Sequence, residues 1–411
     1  MLNNLTRILK SFVGSSTGPG IILIGCVILS LIIANSPLNT YFEAFLNQKI
    51  GYESDQLHLN YPILLWINDG LMVVFFLLVG LEIKRELIDG ELASPKQAAL
   101  PILGALGGVL APALIFTLLN FGKETIAGWA TPMATDIAFA LAIVTLLGDR
   151  VPLSLKVFLA ALAIVDDLMA IIVIALFYAA ELHYTYLLYA GLIFSLLLVF
   201  NRMGIKNLAF YLIPGMVMWY FIHHSGIHAT IAGVLTAFTI PVKPGKAKHP
   251  PLETLAHFLS KPVNIIIMPI FALANTNITF VDGMVGGLAT PLGLGIVLGL
   301  FLGKPLGIFS ISWLSVKLGI CAKPHKAQWK HLWGVGMLAG IGFTMSIFIA
   351  VLSFSGDHTL LSEAKFAILS ASLLSAAAGA LVLHIIAKRQ KNNKYQKTAN
   401  LKANEQHIGA H

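Results

Sequence analysis

Apolar runs long enough to cross a bilayer alternate with short polar connections along almost the whole chain. A spanning helix needs about 20 mostly apolar residues. Such runs occur near 18–35, 62–82, 97–119, 129–147, 152–178, 184–201, 207–222, 227–241, 263–280, 290–315, 331–354 and 364–387, which predicts an all-α membrane protein of twelve helices. The runs at 207–222 and 227–241 are short, with His223, His224 and Gly226 between them. Residues 41–60 break the pattern, being polar with Gly51 between two short mixed stretches. An outer β-hairpin that pairs with a second copy fits them, and so does an unstructured loop. The ends are polar: residues 1–17 read as a cytoplasmic segment and 388–411 as a basic cytoplasmic tail, solvated or lying on anionic lipid, around a membrane domain of residues 18–387.

Composition agrees with the pattern. Of 411 residues, 57% are hydrophobic and 11% charged, with a mean hydropathy of +0.82, whereas soluble domains carry about 25% charged residues. The net charge of +8 would suit a nucleic-acid partner, but its distribution excludes one. With both termini in the cytoplasm, nearly all Lys and Arg fall in cytoplasmic connections. Outer connections hold only Lys49, Lys123 and Lys365, and Lys304 lies within a run. Twelve crossings therefore satisfy the positive-inside rule. Arg7 and Lys10 precede no small-residue cleavage site, so the N-terminal segment reads as retained. Cys26 and Cys321 offer no disulfide framework. No enzyme or nucleotide motif is present in the tail.

Five acidic residues fall inside the runs: Asp69, Glu82, Asp136, Asp166 and Asp167. The adjacent pair Asp166-Asp167 stands near the middle of the fifth run. Each such charge costs about 2.5–3.5 kcal/mol to insert, so two side by side point to an ion or proton site rather than to helix-joining polar contacts. Neighbours on a helix lie about 100° apart. Asp167 falls on a small-residue stripe with Ala160, Ala163 and Ala170, and Asp166 points to its side. Glu82, beside Lys84 and Arg85, reads as an interfacial ion pair. Asp69 either lines an outer path or reaches the interface.

Asp136 follows Ala130-Thr131-Pro132-Met133-Ala134-Thr135, where the proline removes a helix donor. A break there is tolerated only in a cavity or buried in protein. The eleventh run carries a second candidate break, Gly340-Ile341-Gly342-Phe343-Thr344. These runs are the middle members of two triplets, spans 3–5 and 10–12, which the topology orients oppositely. Paired interrupted helices in such repeats point to a transport site at the midplane. Facing half-helix ends need charges of both signs. Asp136 suits the positive ends, and Lys304, in Gly303-Lys304-Pro305, suits the negative ones. Lys304 either titrates or serves as a fixed counter-ion to Asp166 or Asp167.

Thr135-Asp136, Asp166-Asp167, Gly303-Lys304-Pro305 and Ala339-Gly340-Ile341-Gly342-Phe343-Thr344 together resemble the NhaA family of bacterial sodium/proton antiporters. Further matches are Leu64-Leu65-Trp66-Ile67-Asn68-Asp69-Gly70, Gly80-Leu81-Glu82-Ile83-Lys84-Arg85-Glu86 and Ser225-Gly226-Ile227-His228-Ala229-Thr230, and the likeness covers roughly 12–387. NhaA transporters are among those already known to be built from inverted repeats. The resemblance implies a pH-regulated inner-membrane transporter, not an enzyme. It would exchange Na⁺ or Li⁺ for protons, need no cofactor and form a homodimer through its outer hairpin. Asp167 would be the principal cation ligand, Asp166 the partner of Lys304, and Thr135 and Asp136 the residues at the helix crossing. Glu82 and Arg85 would lie at the pH-sensing cytoplasmic mouth. Many members carry a Glu-His pair ahead of span 9, where this chain reads Ala256-His257, and a proline at the position of Lys261. Glu253 can replace the missing acid, but the pH set point does not carry over.

The mechanism expected is competition of cation and proton for one carboxylate site. Two protons returning for each cation leaving would make the cycle electrogenic. An intramembrane aspartyl protease would need carboxylates on separate helices and a Gly-x-Gly-Asp motif, whereas Gly148-Asp149 and Gly356-Asp357 lie at span ends and lack the earlier glycine. A cation channel needs no alternating-access repeat.

Overall fold

The computed structural model describes every residue except 1–17, 55–57, 180, 243–249, 281–282, 326 and 409–411. The expected N-terminal segment 1–17 lies outside the described residues. Apolar sequence leaves the backbone no water to bond, so it bonds internally as helices. Helix α1 (Gly18–Ala34) turns through 110° into α2 (Asn39–Asn47). Strands β1 (Lys49–Ile50) and β2 (Tyr61–Pro62) then pair antiparallel, Lys49 opposite Pro62 and Ile50 opposite Tyr61, and an isolated bridge joins Glu53 to His58. The stretch 41–60 is thus divided: its first residues close α2, and the pairing of β1 with β2 and of Glu53 with His58 brackets the rest.

There follow α3 (Ile63–Asp89), which contains a π turn at Trp66–Leu71, and α4 (Pro95–Asn120). A 3₁₀ segment (Glu124–Met133) leads to α5 (Ile137–Leu146). Next come α6 (Leu153–Phe177), α7 (Tyr184–Arg202), α8 (Ala209–His224) and α9 (Ile231–Thr239). The chain ends with α10 (Pro251–Asn275), α11 (Pro291–Lys317), α12 (Trp329–Ala339), α13 (Phe343–Ser353) and α14 (His358–Ile408). The tail expected from residue 388 continues α14 as helix to Ile408.

Among the described residues, eight helical stretches are long and apolar enough to cross a membrane, or ten if the bent pairs α1–α2 and α12–α13 each count as one span. Twelve is not reached by length and composition. The runs at 207–222 and 227–241 form α8 and α9, of 16 and 9 residues, short of a full bilayer crossing.

Lipid tails give helices no hydrophobic reason to associate, so close packing of small residues must do it. Helices α4 and α11 meet backbone to backbone. A Cβ on Gly107 would strike the Gly307 carbonyl oxygen, and one on Gly307 would strike that of Gly107. Gly303 lies against Pro112, and Gly104 against Ser312, in the same crossing. Less than one turn separates Gly307 from Lys304, so this contact fixes the height at which Lys304 enters the interior. On the other side, α3 and α9 approach similarly through Gly80 and Gly233. Helix α6 runs through the centre, with Leu162, Ala163, Asp166, Asp167 and Ala170 all buried.

Candidate functional site

Two helices are interrupted, and the interruptions cross. After the 3₁₀ segment the chain is non-helical through Ala134, Thr135 and Asp136 before α5 begins. Between α12 and α13, whose axes differ by 47°, lie Gly340, Ile341 and Gly342. The Asp136 N–H donates to the Ile341 carbonyl at 2.7 Å, which ties the two breaks together. Crowding favours glycine in the second break, most strictly at Gly340, which faces backbone. A Cβ on Gly340 would strike the Leu300 carbonyl, and one on Gly342 would strike the Ser346 hydroxyl.

Each break exposes a helix start with unbonded N–H groups and a positive end. One carboxylate serves both. Asp136 Oδ1 accepts from the Phe139 N–H at 3.1 Å, and Oδ2 accepts from the Thr344 N–H at 3.2 Å and from the Thr344 hydroxyl. The negative ends are met by other donors. The fully buried Lys304 ammonium donates to the Met133 carbonyl at the end of the 3₁₀ segment and lies 2.6 Å from Asp166 Oδ2. At the end of α12, the Ala339 carbonyl accepts from the Thr135 hydroxyl at 2.9 Å, and that hydroxyl is also 2.6 Å from Asp166 Oδ2. Its single hydrogen is shared between two acceptors or turns from one to the other.

The neighbouring carboxylates therefore have unlike surroundings. Asp166 Oδ2 is engaged twice. Its Oδ1 is buried without a partner among the described residues, as is that of Asp167, but Asp167, 2% exposed, has neither oxygen held by a described residue. The carboxylates of Asp166, Asp136 and Glu82 bear on the charge of Asp167, opposed by Lys304. A buried acceptor in a mainly negative field, lacking a donor, is where a proton or a small cation gains most.

The other expected residues lie apart from this cluster. Asp69, in the π turn of α3, is largely buried between two imidazoles: His223 Nδ1 is 3.4 Å from its Oδ2 and His228 Nδ1 is 4.0 Å from its Oδ1. The Trp219 indole also donates to its backbone carbonyl at 3.1 Å. Towards the far end of α3, the expected ion pairing of Glu82 is corrected. Lys84 instead donates to the Phe238 and Ile240 carbonyls at 2.7 and 2.6 Å, and Arg85 lies 3.4 Å from Glu86. The cause is the C-terminus of α9, whose last carbonyls have no intrahelical donor and draw the ammonium. Glu82 is left half-buried with no ion-pair contact within 4 Å among the described residues, although the Arg85 charge still bears on it. Glu253 and His257 are both exposed, one turn apart on α10.

Three side chains and three carbonyls take part that the sequence does not single out. Thr344 closes the run Gly340-Ile341-Gly342-Phe343-Thr344, and its place in the first turn after a glycine break is the signal that it can share a cap. His223 and His228 stood in plain view, four residues and nine residues after Trp219. The carbonyls of Met133, Ala339 and Ile341 left no trace, because any residue supplies one.

A family model described as Na+/H+ antiporter 1 matches residues 10–383. Among similar proteins, Na(+)/H(+) antiporter NhaA 2 of Flavobacterium johnsoniae is 62% identical over 378 residues, covering 92% of each chain. The Na(+)/H(+) antiporter NhaA of Flavobacterium psychrophilum is 50% identical over 384 residues, 93% of this chain and 97% of that one. That of Bordetella parapertussis is 48% identical over 387 residues, 92% of this chain and 96% of the relative.

Proposed function

The chain belongs to the Na+/H+ antiporter 1 family of membrane transporters, and from that premise we propose that it exchanges Na⁺ or Li⁺ for protons electrogenically at Asp167. The observation that carries this reading is the inequality of the two adjacent carboxylates. Each leaves its Oδ1 buried without a donor, but Asp166 is held through Oδ2 by Lys304 and Thr135, both at 2.6 Å, whereas no described residue holds either oxygen of Asp167. The carboxylate that no protein donor holds is the one that can alternate between a proton and Na⁺. A hard cation favours ionised oxygen ligands, so each occupant expels the other.

Asp166 and Lys304 hold the site in register. Asp136 compensates the two positive half-helix ends, Lys304 and Thr135 the negative ones, which leaves the crossing without net mismatch. Lys304 acts as a fixed counter-ion in this scheme, since its ammonium bonds both a carboxylate and a backbone carbonyl. Asp69 belongs to the outer path. Glu82, Arg85, Glu253 and His257 belong to the cytoplasmic mouth and its response to pH.

Alternating access suits two inverted repeats, spans 3–5 and 10–12. The reciprocal Gly107–Gly307 contact supports them, since a two-fold relation would bring equivalent positions of α4 and α11 together. On this reading α8 and α9 are short crossings, the total is twelve, both termini are cytoplasmic, and the protein resides in a bacterial inner membrane. The β1–β2 hairpin is then an outer contact between two copies.

Uptake of Na⁺ into proteoliposomes against its gradient, driven by an imposed proton gradient, tests the exchange. Sodium flow only down its gradient would indicate a channel. Acceleration by a membrane potential tests electrogenicity.

A further inference from the structure

At the end of α12 remote from the crossing, the third helical residue is a histidine. His331 is 1% exposed, and its Nδ1 accepts from the N–H of Gln328, the residue before α12, at 3.0 Å. That bond satisfies a donor which the start of any helix leaves free. Glu or Gln ordinarily fills this role at the third helical position. An imidazole can fill it only while Nδ1 carries no proton. The other ring nitrogen, Nε2, lies 3.3 Å from the Gln390 carboxamide on α14. Among the described residues, the charge that bears on the ring is the Lys323 ammonium in the connection before α12.

The rest of α12 links this cap to the site. Its 11 residues span roughly 16 Å at 1.5 Å per residue. Midway, Gly336 packs on Pro305, the residue after Lys304; a Cβ there would lie 3.1 Å from the Pro305 Cα. At its end, the Ala339 carbonyl holds the Thr135 hydroxyl, and Ile341 takes the Asp136 N–H. A rod seated at one end on His331 therefore sets two hydrogen bonds of the crossing at the other.

We propose that His331 is a positioning residue for the exchange, acting through α12. Neutral, it caps the helix and holds Ala339 and Ile341 against the first break. Protonated, it releases the Gln328 N–H and adds positive charge to a helix end that is already positive. The cap is present on the alkaline side of the imidazole titration and is lost as pH falls, so exchange and stability both decline on the acid side. The effect on transport rests on the exchange reading above; the cap itself does not.

The test uses the full-length protein with His331→Gln, which accepts the same bond but does not titrate, and with His331→Ala, which cannot accept it. In proteoliposomes, His331→Gln should move the acid limb of the exchange profile down by about half a pH unit or more, with alkaline rates within about twofold of wild type. His331→Ala should lower exchange across the profile. In detergent, wild type should lose more melting temperature than His331→Gln between about pH 8 and about pH 5.5, across the imidazole range. Equal melting losses would overturn the cap. A melting difference with superimposable exchange profiles would overturn its coupling to the site. Wild type that melts as expected but exchanges nothing would sink the exchange reading and, with it, the positioning role.

Discussion

The break at residues 134–136 carries side chains that give and take hydrogen bonds, Thr135 and Asp136, whereas the break at 340–342 is Gly-Ile-Gly and carries none. Both leave helix ends uncovered in the interior. The first supplies a carboxylate that caps both helix starts, and a hydroxyl that reaches the end of α12. The second supplies carbonyls and space, since a Cβ at either glycine would collide with a neighbour. The crossing is thus chemically lopsided: one strand brings charge and the other accommodates it. Lys304 from α11 and Asp166 from α6 complete the balance; Asp166 Oδ1 and Asp167 Oδ1 are both buried without a partner, but Asp166 is tied down through Oδ2, whereas neither oxygen of Asp167 is held by a described residue.

Removing the charge supplied from outside the two breaks should do the greatest damage. Lys304→Ala leaves Asp166 and the Met133 carbonyl without their donor, and breaking a buried pair in this way costs about 3–5 kcal/mol. We expect little folded protein, read as yield and melting temperature. Lys304→Arg keeps the charge but cannot release a proton in the working range. It should remain folded and still move charge, with a shifted pH profile, in transient-current recordings on supported membranes. A stable Lys304→Arg protein that exchanges ions without moving charge would show the lysine to be a proton carrier.

The capping carboxylate comes next. Asp136→Ala uncaps α5 and α13 together, and with about 1 kcal/mol for each cap the loss should be roughly 2 kcal/mol or more. Asp136→Asn keeps an acceptor oxygen and should retain part of both stability and transport. Equal and complete loss of transport in the two variants would instead mean that Asp136 ligates the ion. The smallest effect is expected at Thr135. Thr135→Val removes one hydroxyl at nearly constant shape, which should cost about 1 kcal/mol, while Thr135→Ser should restore it. Melting temperatures and exchange rates of the two variants compare directly.

Much of this was legible in the chain. Asp136, Asp166, Asp167 and Lys304 stand out because a charge at bilayer depth is costly, and a residue so costly is seldom retained for packing. Pro132 marked the first break for the same kind of reason, by lacking a donor. The second break was harder to read, because glycines also serve helix packing, as Gly107 and Gly307 do in α4 and α11. The interfacial pairing of Glu82 was misread because sequence proximity to Lys84 and Arg85 suggested it. The stronger claim came from the α9 carbonyls, which are remote in sequence. Span counting was limited by α8 and α9, since apolar runs interrupted by histidines and a glycine do not declare where helix stops. The imidazoles around Asp69 were missed because a histidine beside an aromatic stretch reads equally well as a packed ring.

Sodium-driven proton release from the purified protein in detergent tests the assignment of Asp167 most directly, because it reports competition at the site without requiring a sealed vesicle. Asp167→Asn removes the charge while keeping the size of the side chain. Wild type should release protons as Na⁺ is added, and Asp167→Asn should release none while retaining its fold. Asp166→Asn should also lose coupled exchange but can retain some cation binding. Proton release by Asp167→Asn at the wild-type sodium affinity would contradict the account.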